Sequence, residues 1–306
     1  MIKQRFITGS HLPEKEDKLL CWLSSELGTR LGQPRKPCIT SNLSIYWGAS
    51  YFGLDKVKTF QLSNQNQQYE ILRLCCSAVI EHVYSIEKAC VSYMSKMVLM
   101  HETTEEQMLY ALFSADEVKH IAQIRNFLPT VQRIEENRLL RFLNSLIDTQ
   151  NKAVILFILL LLDGWSLSYY RSLAIECREP DLSFILQSFL PDKSRHHATE
   201  VMLCHNLPLT LESQSAIVET LSKFLQIMRV EPQYTIVWAI EQIKGDLSPH
   251  QKIRIFEELD TETQSATRLK FLRSLMRNPN SGNIVQMLEA RGVFQPFSSA
   301  NYTCKV

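Results

Sequence analysis

One layout occurs twice in this chain, 76 residues apart, and it limits the fold more than any bulk property does. Glu87 stands 30 residues before Glu117 in the run Asp116-Glu117-Val118-Lys119-His120, and Asp163 stands 30 residues before Lys193 in the run Asp192-Lys193-Ser194-Arg195-His196. Tyr93 lies six residues after Glu87, and Tyr169 six after Asp163. Positions three apart on a helix share a face, so Glu117 points with His120 and Lys193 points with His196. Two antiparallel helices joined by a short turn bring residues equally far from the turn to one level, at ~1.5 Å per residue. With turns near 102 to 103 and near 178, each acid or lysine of the pattern lies about 15 residues from its turn. A duplicated helical hairpin thus gathers Glu87, Glu117, His120, Asp163, Lys193 and His196 at mid-bundle. An acid on one helix and an acid plus a histidine on the next, given twice, is the ligand set of a carboxylate-bridged dimetal site. Lys193 breaks that set in the second half.

The surrounding periodicity predicts an all-α chain, with nine glycines and few alternating stretches to mark strands. Ile71, Leu74, Cys75, Val79, Val83, Ile86, Cys90 and Tyr93 recur at helical spacing from Asn66 to about Met100. Thr103 or Thr104 caps a second helix from about Glu105 to Phe127, closed by Pro129. Residues 131 to 149 read as an amphipathic crossover. A third helix is expected from Asn151 to Cys177 and a fourth from Leu182 to Cys204, which Pro191 should kink or split. The expected division is a leader at 1–67, a four-helix bundle at 68–207 and additional helices at 208–306. The leader holds an amphipathic stretch from Glu14 to Leu31, a Gly/Pro loop from Gly32 to Pro37, and an aromatic patch from Ile45 to Gly53 that reads as core packing over the bundle. Amphipathic runs at Glu212–Met228, Pro232–Ile243, Pro249–Glu258 and Glu262–Met276 predict the C-terminal helices.

Net charge is +1 with acids and bases interspersed, so no basic block favours nucleic acid. The longest apolar stretch, Val154 to Leu162, is far below the roughly 20 residues a bilayer requires and reads as a buried helix. The N-terminus lacks a signal-peptide core, which places the chain in the cytoplasm. Eight cysteines without Cys-x-x-Cys spacing are then free thiols rather than a zinc site. No Gly-x-Gly-x-x-Gly fingerprint occurs, so any reducing equivalents come from a separate reductase or from the substrate.

A lone Glu-x-x-His is commonly a solvated pair; the repetition and the apolar neighbours Leu112, Phe113, Ile121, Ile124, Leu159 to Leu162 and Trp165 argue for burial, and buried charges need partners or a metal. His197 points about 100° from His196 and is a supporting or surface group. His82, His101, His205 and His250 read as structural or exposed. These residues, over roughly 70 to 205, resemble the ferritin-like diiron-carboxylate superfamily, which includes ferritins, ribonucleotide reductase small subunits, acyl desaturases and N-oxygenases. The resemblance implies a ferritin-like bundle with a long crossover, Glu87 and His120 on one metal, Asp163 and His196 on the other, and Glu117 as a bridge. Lys193 stands at the other bridging position.

Three carboxylates and an ammonium neutralise one divalent ion, whereas two ions would leave +2 in a low-dielectric core. The expectation is one or two Fe ions, Mn being an alternative, with a metal-free site in which Lys193 supplies the charge kept open. A neutral Lys193, or Asp192 swinging in beside Pro191, would admit two ions. A radical-generating subunit is disfavoured because Ile124 stands where a tyrosine would, and ferritin storage is disfavoured by length. The resemblance thus implies an O2-dependent oxidase or oxygenase acting on a small organic substrate, with Lys193 tuning or ligating the metal and a homodimer admitted. The alternative is a metal-deficient ferritin-like protein with a binding or structural role, in which Lys193 pairs with Glu117 or Asp163.

Overall fold

A computed structural model describes residues 45–129, 138–277 and 281–299. The predicted features within 1–44, the start of the crossover at 131–137, and Cys21, Cys38 and Cys304 lie outside the described residues. Among the described residues there are twelve α-helices and no strand. After the short helices α1 (Ala49–Phe52) and α2 (Lys58–Gln61) come α3 (Gln65–Met100) and α4 (Thr104–Ile124), then α5 (Arg138–Leu146), α6 (Lys152–Glu176) and α7 (Pro180–Asn206). The chain continues through α8 (Leu211–Met228), α9 (Glu231–Lys244), α10 (Pro249–Glu258), α11 (Thr261–Leu275) and α12 (Gly282–Ala290).

The bundle helices start where local chemistry dictates. Asn64 and Gln67 form a reciprocal capping box before α3, Thr103 accepts from the Glu106 amide at 3.3 Å before α4, and Asn151 accepts from the amides of Ala153 and Val154 before α6. Pro180 opens α7, where its missing amide costs nothing. α3 is 36 residues long, about 54 Å at helical rise, and packs along its length on α4. α6 packs in the same way on α7, while α4 touches α7 and α3 touches α6, closing a ring of four. α5 lies in the crossover against α3 and α8.

α6 is the central helix: every residue from Ala153 to Ser166 is buried. It is long and apolar enough to cross a membrane, but 83% of its most apolar window is buried inside the protein, as in a core helix. α8 and α11 cover α6, and α9 lies on α3. Trp47 of the aromatic patch is fully buried and donates from Nε1 to the Leu173 carbonyl at 2.9 Å, fastening the N-terminal segment to α6. The four C-terminal runs form α8 to α11 as the periodicity predicts; α12 was not anticipated.

Pro191 neither splits nor ends α7, which runs unbroken from Pro180 to Asn206. A proline inside a helix costs about 3 kcal/mol in lost hydrogen bonding and crowding. Here the turns on either side are held by buried side chains, Leu186 and Phe189 before it and Asp192, Lys193 and His196 after it. The fourth helix therefore carries its functional side chains on one continuous frame.

The apolar interior falls into two clusters along the bundle. One contains Tyr93, Met97 and Leu156 to Leu162; the other contains Ile71, Ile80, Val83, Tyr170, Leu186 and Phe189. Between them lies a layer of fully buried ionisable groups: Glu87, Glu117, His120, Asp163, Lys193, His196 and Glu200.

Candidate metal centre

All six side chains picked out by the repeat are buried and meet in this layer. Lys193 is at its centre. Its Nζ lies 2.9 and 3.0 Å from the two oxygens of Glu117, 3.0 Å from Oδ1 of Asp163, 3.4 Å from Oε1 of Glu87 and 3.8 Å from Sγ of Cys90. Burial alone would lower the pKa of this lysine, but Asp163, Glu117 and Glu87 around it hold it well above its ordinary value. The ammonium thus stays charged, and the escape in which Lys193 becomes neutral has no support.

His120 marks the other half of the layer. Its Nδ1 lies 2.8 Å from Oε2 of Glu87 and 3.3 Å from Oε2 of Glu117, while Nε2 donates to Oδ2 of Asp192 at 3.1 Å. One ring nitrogen faces two carboxylates and the other is fixed by a third, the arrangement that orients a metal-binding histidine. Burial would lower the pKa of His120, but its bonds to Asp192, Glu117 and Glu87 push it up to about 10. Burial and the neighbouring Glu117 raise Glu87 to about 7, whereas for Glu117 the effect of burial is overcome by Lys193 and the histidines, and its carboxyl stays well below the ordinary range. The hydroxyl of Tyr170 donates to Oε1 of Glu87.

His196 repeats the pattern crosswise. Its Nε2 donates to Oδ2 of Asp116 at 3.3 Å, and its Nδ1 lies 3.0 Å from Oε1 of Glu117 but outside hydrogen-bonding direction. Each histidine is therefore backed by the aspartate of the other hairpin, Asp192 for His120 and Asp116 for His196. Each also meets the phenylalanine of the other hairpin, with ring centroids 4.0 Å apart for His120 and Phe189 and 4.1 Å for His196 and Phe113. The outward sides of the aspartates are held by Lys119, 2.5 Å from Asp192, and by Arg195, 2.5 Å from Asp192 and 3.4 Å from Asp116. Asp192 does turn inward, as one sequence reading allowed, but as a partner of His120 on an intact helix.

The donor set was tested for a metal by its spacing. Atoms of Glu87, Glu117 and His120 lie within 4.8 Å of one another, as do atoms of Cys90, Glu117 and Asp163. Adjacent ligands at the ~2.1 Å bond lengths of nitrogen and oxygen donors are themselves about 3 Å apart, close to the 2.8 and 3.3 Å found around His120 Nδ1. The first group can hold one ion. The second group surrounds the Lys193 ammonium, which already fills its charge requirement.

Two site residues escaped the sequence reading. Tyr170, not Tyr169, reaches the acid layer; Tyr93 instead donates to the Leu143 carbonyl of α5. Glu200 is a further buried carboxyl, raised well above the ordinary range by burial and by the adjoining Asp163. Its signal was an acid four residues after His196, on the same face of a helix whose other residues there are buried. His197 is no ligand: its Nδ1 bonds the Leu160 carbonyl at 3.1 Å, and Gly164, where a Cβ would lie 2.7 Å from its ring, permits that approach. His101 is buried rather than exposed, paired with Glu106 at 2.8 Å and stacked on Tyr110. Cys75, Cys76, Cys90, Cys177 and Cys204 are free thiols.

A cavity of about 320 Å³ lies beside the bundle, its lining including Trp165 and Tyr169 of α6, His82 of α3, and Glu231 and Arg268 from the C-terminal helices. Trp165 and Tyr169 stack at 4.5 Å. No protein-family model matches the chain, and no curated protein matches it. The class is defined by what the molecule itself shows: an all-helical protein with a buried cluster of glutamate and histidine able to hold a metal ion.

Proposed function

We propose that this is a ferritin-like, O2-dependent non-haem iron oxidase or oxygenase acting on a small organic substrate. The observation that carries the reading is His120, whose Nδ1 faces Glu87 and Glu117 while its Nε2 is fixed by Asp192. Glu87, Glu117 and His120 would hold the ion, and iron bound there would supply the activation of O2 that carboxylates and imidazole cannot. The chain's own groups do the rest. Tyr170 orients Glu87, Asp192 keeps His120 in register, and Phe113 and Phe189 close the two histidine faces against water. Lys193 holds a proton at Nζ beside Glu117 and Asp163. The cavity against Trp165 and Tyr169 is of the size that accepts a small ligand. Reducing equivalents would come from a separate reductase or the substrate, in a cytoplasmic setting.

A second reading is favoured by the Lys193 ion pairs. An ammonium already paired with Glu117, Asp163 and Glu87 satisfies the acid layer without metal, as a catalytically silent ferritin-like protein would require. Metal content per chain after anaerobic loading with Fe(II), measured by mass spectrometry together with O2 uptake, separates the two. The oxidase reading expects at least one retained iron and O2 consumption that Glu87→Gln abolishes. A chain that retains no iron would leave only the silent reading.

A further inference from the structure

The second hairpin contains an acid that the first lacks. Glu200 stands where the repeat places Ile124, seven residues after Lys193 and four after His196, on one face of α7. It is fully buried, and neither of its oxygens has a hydrogen-bond partner. The same is true of Oδ2 of Asp163, Nδ1 of His196, Oγ of Ser166 and the hydroxyl of Tyr110. These groups belong together: Glu200 adjoins Asp163, Ser166 is one turn on from Asp163, and Tyr110 faces Glu200 and Asp163. Buried polar atoms are nearly always satisfied, and leaving one unmade costs about 1–3 kcal/mol, so a cluster of this size marks a site built for something it binds.

Resting on the metal reading above, we propose that Asp163, His196 and Glu200 form a second divalent-metal position, in which Glu200 replaces the carboxylate lost at Lys193. The ammonium engages only Oδ1 of Asp163, which leaves Oδ2 toward Glu200. His196 presents Nδ1 inward with Nε2 fixed by Asp116, the same orientation as His120. Glu117 lies between the two positions, 3.3 Å from His120 and 3.0 Å from His196, and can serve both. Oxygen and imidazole donors suit a first-row ion such as Fe(II), Mn(II) or Zn(II). With Glu200 the layer holds four carboxylates, so two divalent ions with the Lys193 ammonium leave +1 in place of +2. The ammonium is thereby an internal counter-charge between two half-sites rather than a substitute for one of them.

The test is metal stoichiometry on the full-length chain loaded with Zn(II) and, anaerobically, with Fe(II), alongside the thermal shift each ion produces. Two ions are expected for the wild type and one for Glu200→Gln, an isosteric change that keeps the fold. Glu87→Gln should also retain one, and the double variant none. Equal stoichiometry in wild type and Glu200→Gln, at one or two ions, would overturn the second position while leaving the first standing. A wild type that takes up no ion would overturn the metal reading itself. Should Glu200→Gln fold poorly, Glu200→Asp gives the same readout: its shorter carboxyl should weaken retention of one ion by at least tenfold and leave the other unchanged.

Discussion

The two hairpins, α3–α4 and α6–α7, place equivalent groups at equivalent levels and then use them differently. In the first, Glu87, Glu117 and His120 converge on a point compatible with a metal. In the second, Asp163 and His196 stand apart, because the Lys193 ammonium draws Asp163 and Glu117 to itself. Around that one exchange several others cluster. Tyr170 holds Glu87 where the first hairpin has Met94, Ser166 stands opposite Cys90, and Glu200 stands opposite Ile124. What stays matched is the orienting set, Asp116 and Asp192, Phe113 and Phe189, Lys119 and Arg195, each reaching across to the histidine or aspartate of the other half. A lysine that merely filled a dead site would leave no reason to keep that shell on both sides.

The strongest way to break the comparison is to exchange the two positions. Lys193→Glu or Glu117→Lys alone leaves like charges facing one another in a dry layer, and each should lose about 3–5 kcal/mol in the metal-free protein, read from urea unfolding. The double exchange Glu117→Lys/Lys193→Glu restores the charge count, so at least half of that loss should return. If it recovers nothing, the hairpins are not interchangeable frames. Lys193→Glu should also regain stability when Zn(II) is added, as a metal takes over from the ammonium.

The helices and the meeting of the six repeat residues were legible in the sequence, because both follow from periodicity and distance from a turn. Two kinds of fact were not. Pro191 reads locally as a break, yet the buried side chains flanking it hold the helix together. Glu200 and Tyr170 lie outside the motif, and their roles depend on which face of α6 and α7 the packing turns inward. The crosswise contacts of Asp116 and Asp192 were equally hidden, since they lie between helices that touch only in space.

Those aspartates offer the next test. Removing a carboxylate that orients a metal-binding histidine typically costs 10–100-fold in affinity. Asp192→Asn should weaken Zn(II) binding at Glu87, Glu117 and His120 by that factor in a chelator competition, and Asp116→Asn should leave the same position nearly unchanged. Equal effects of both variants would show that the crosswise pairing does not divide the layer into halves. Tyr170→Phe, which removes a buried hydrogen bond to Glu87 that Met94 cannot mirror, should cost about 1.5–2 kcal/mol. The opposite change, Met94→Tyr, has no acid waiting for it and should gain nothing.

The smallest difference concerns His82, which the second hairpin replaces with Ile158. Burial pushes the pKa of His82 down from 6.5 to about 4. The unfolded chain therefore binds a proton between those values that the folded chain refuses, so the stability contributed by the neutral ring is complete above pH 6.5 and is lost as pH falls toward 4. Full burial would make this ~3 kcal/mol, but the ring lines a solvent-facing cavity beside Trp165 and Tyr169, and about 1–2 kcal/mol is expected. Urea unfolding at pH 7 and pH 4.5 should show a steeper loss for the wild type than for His82→Gln, which has nothing to protonate. Parallel losses would mean that the ring takes up its proton without penalty, and that the cavity wall at α3 is wetter than its aromatic lining implies.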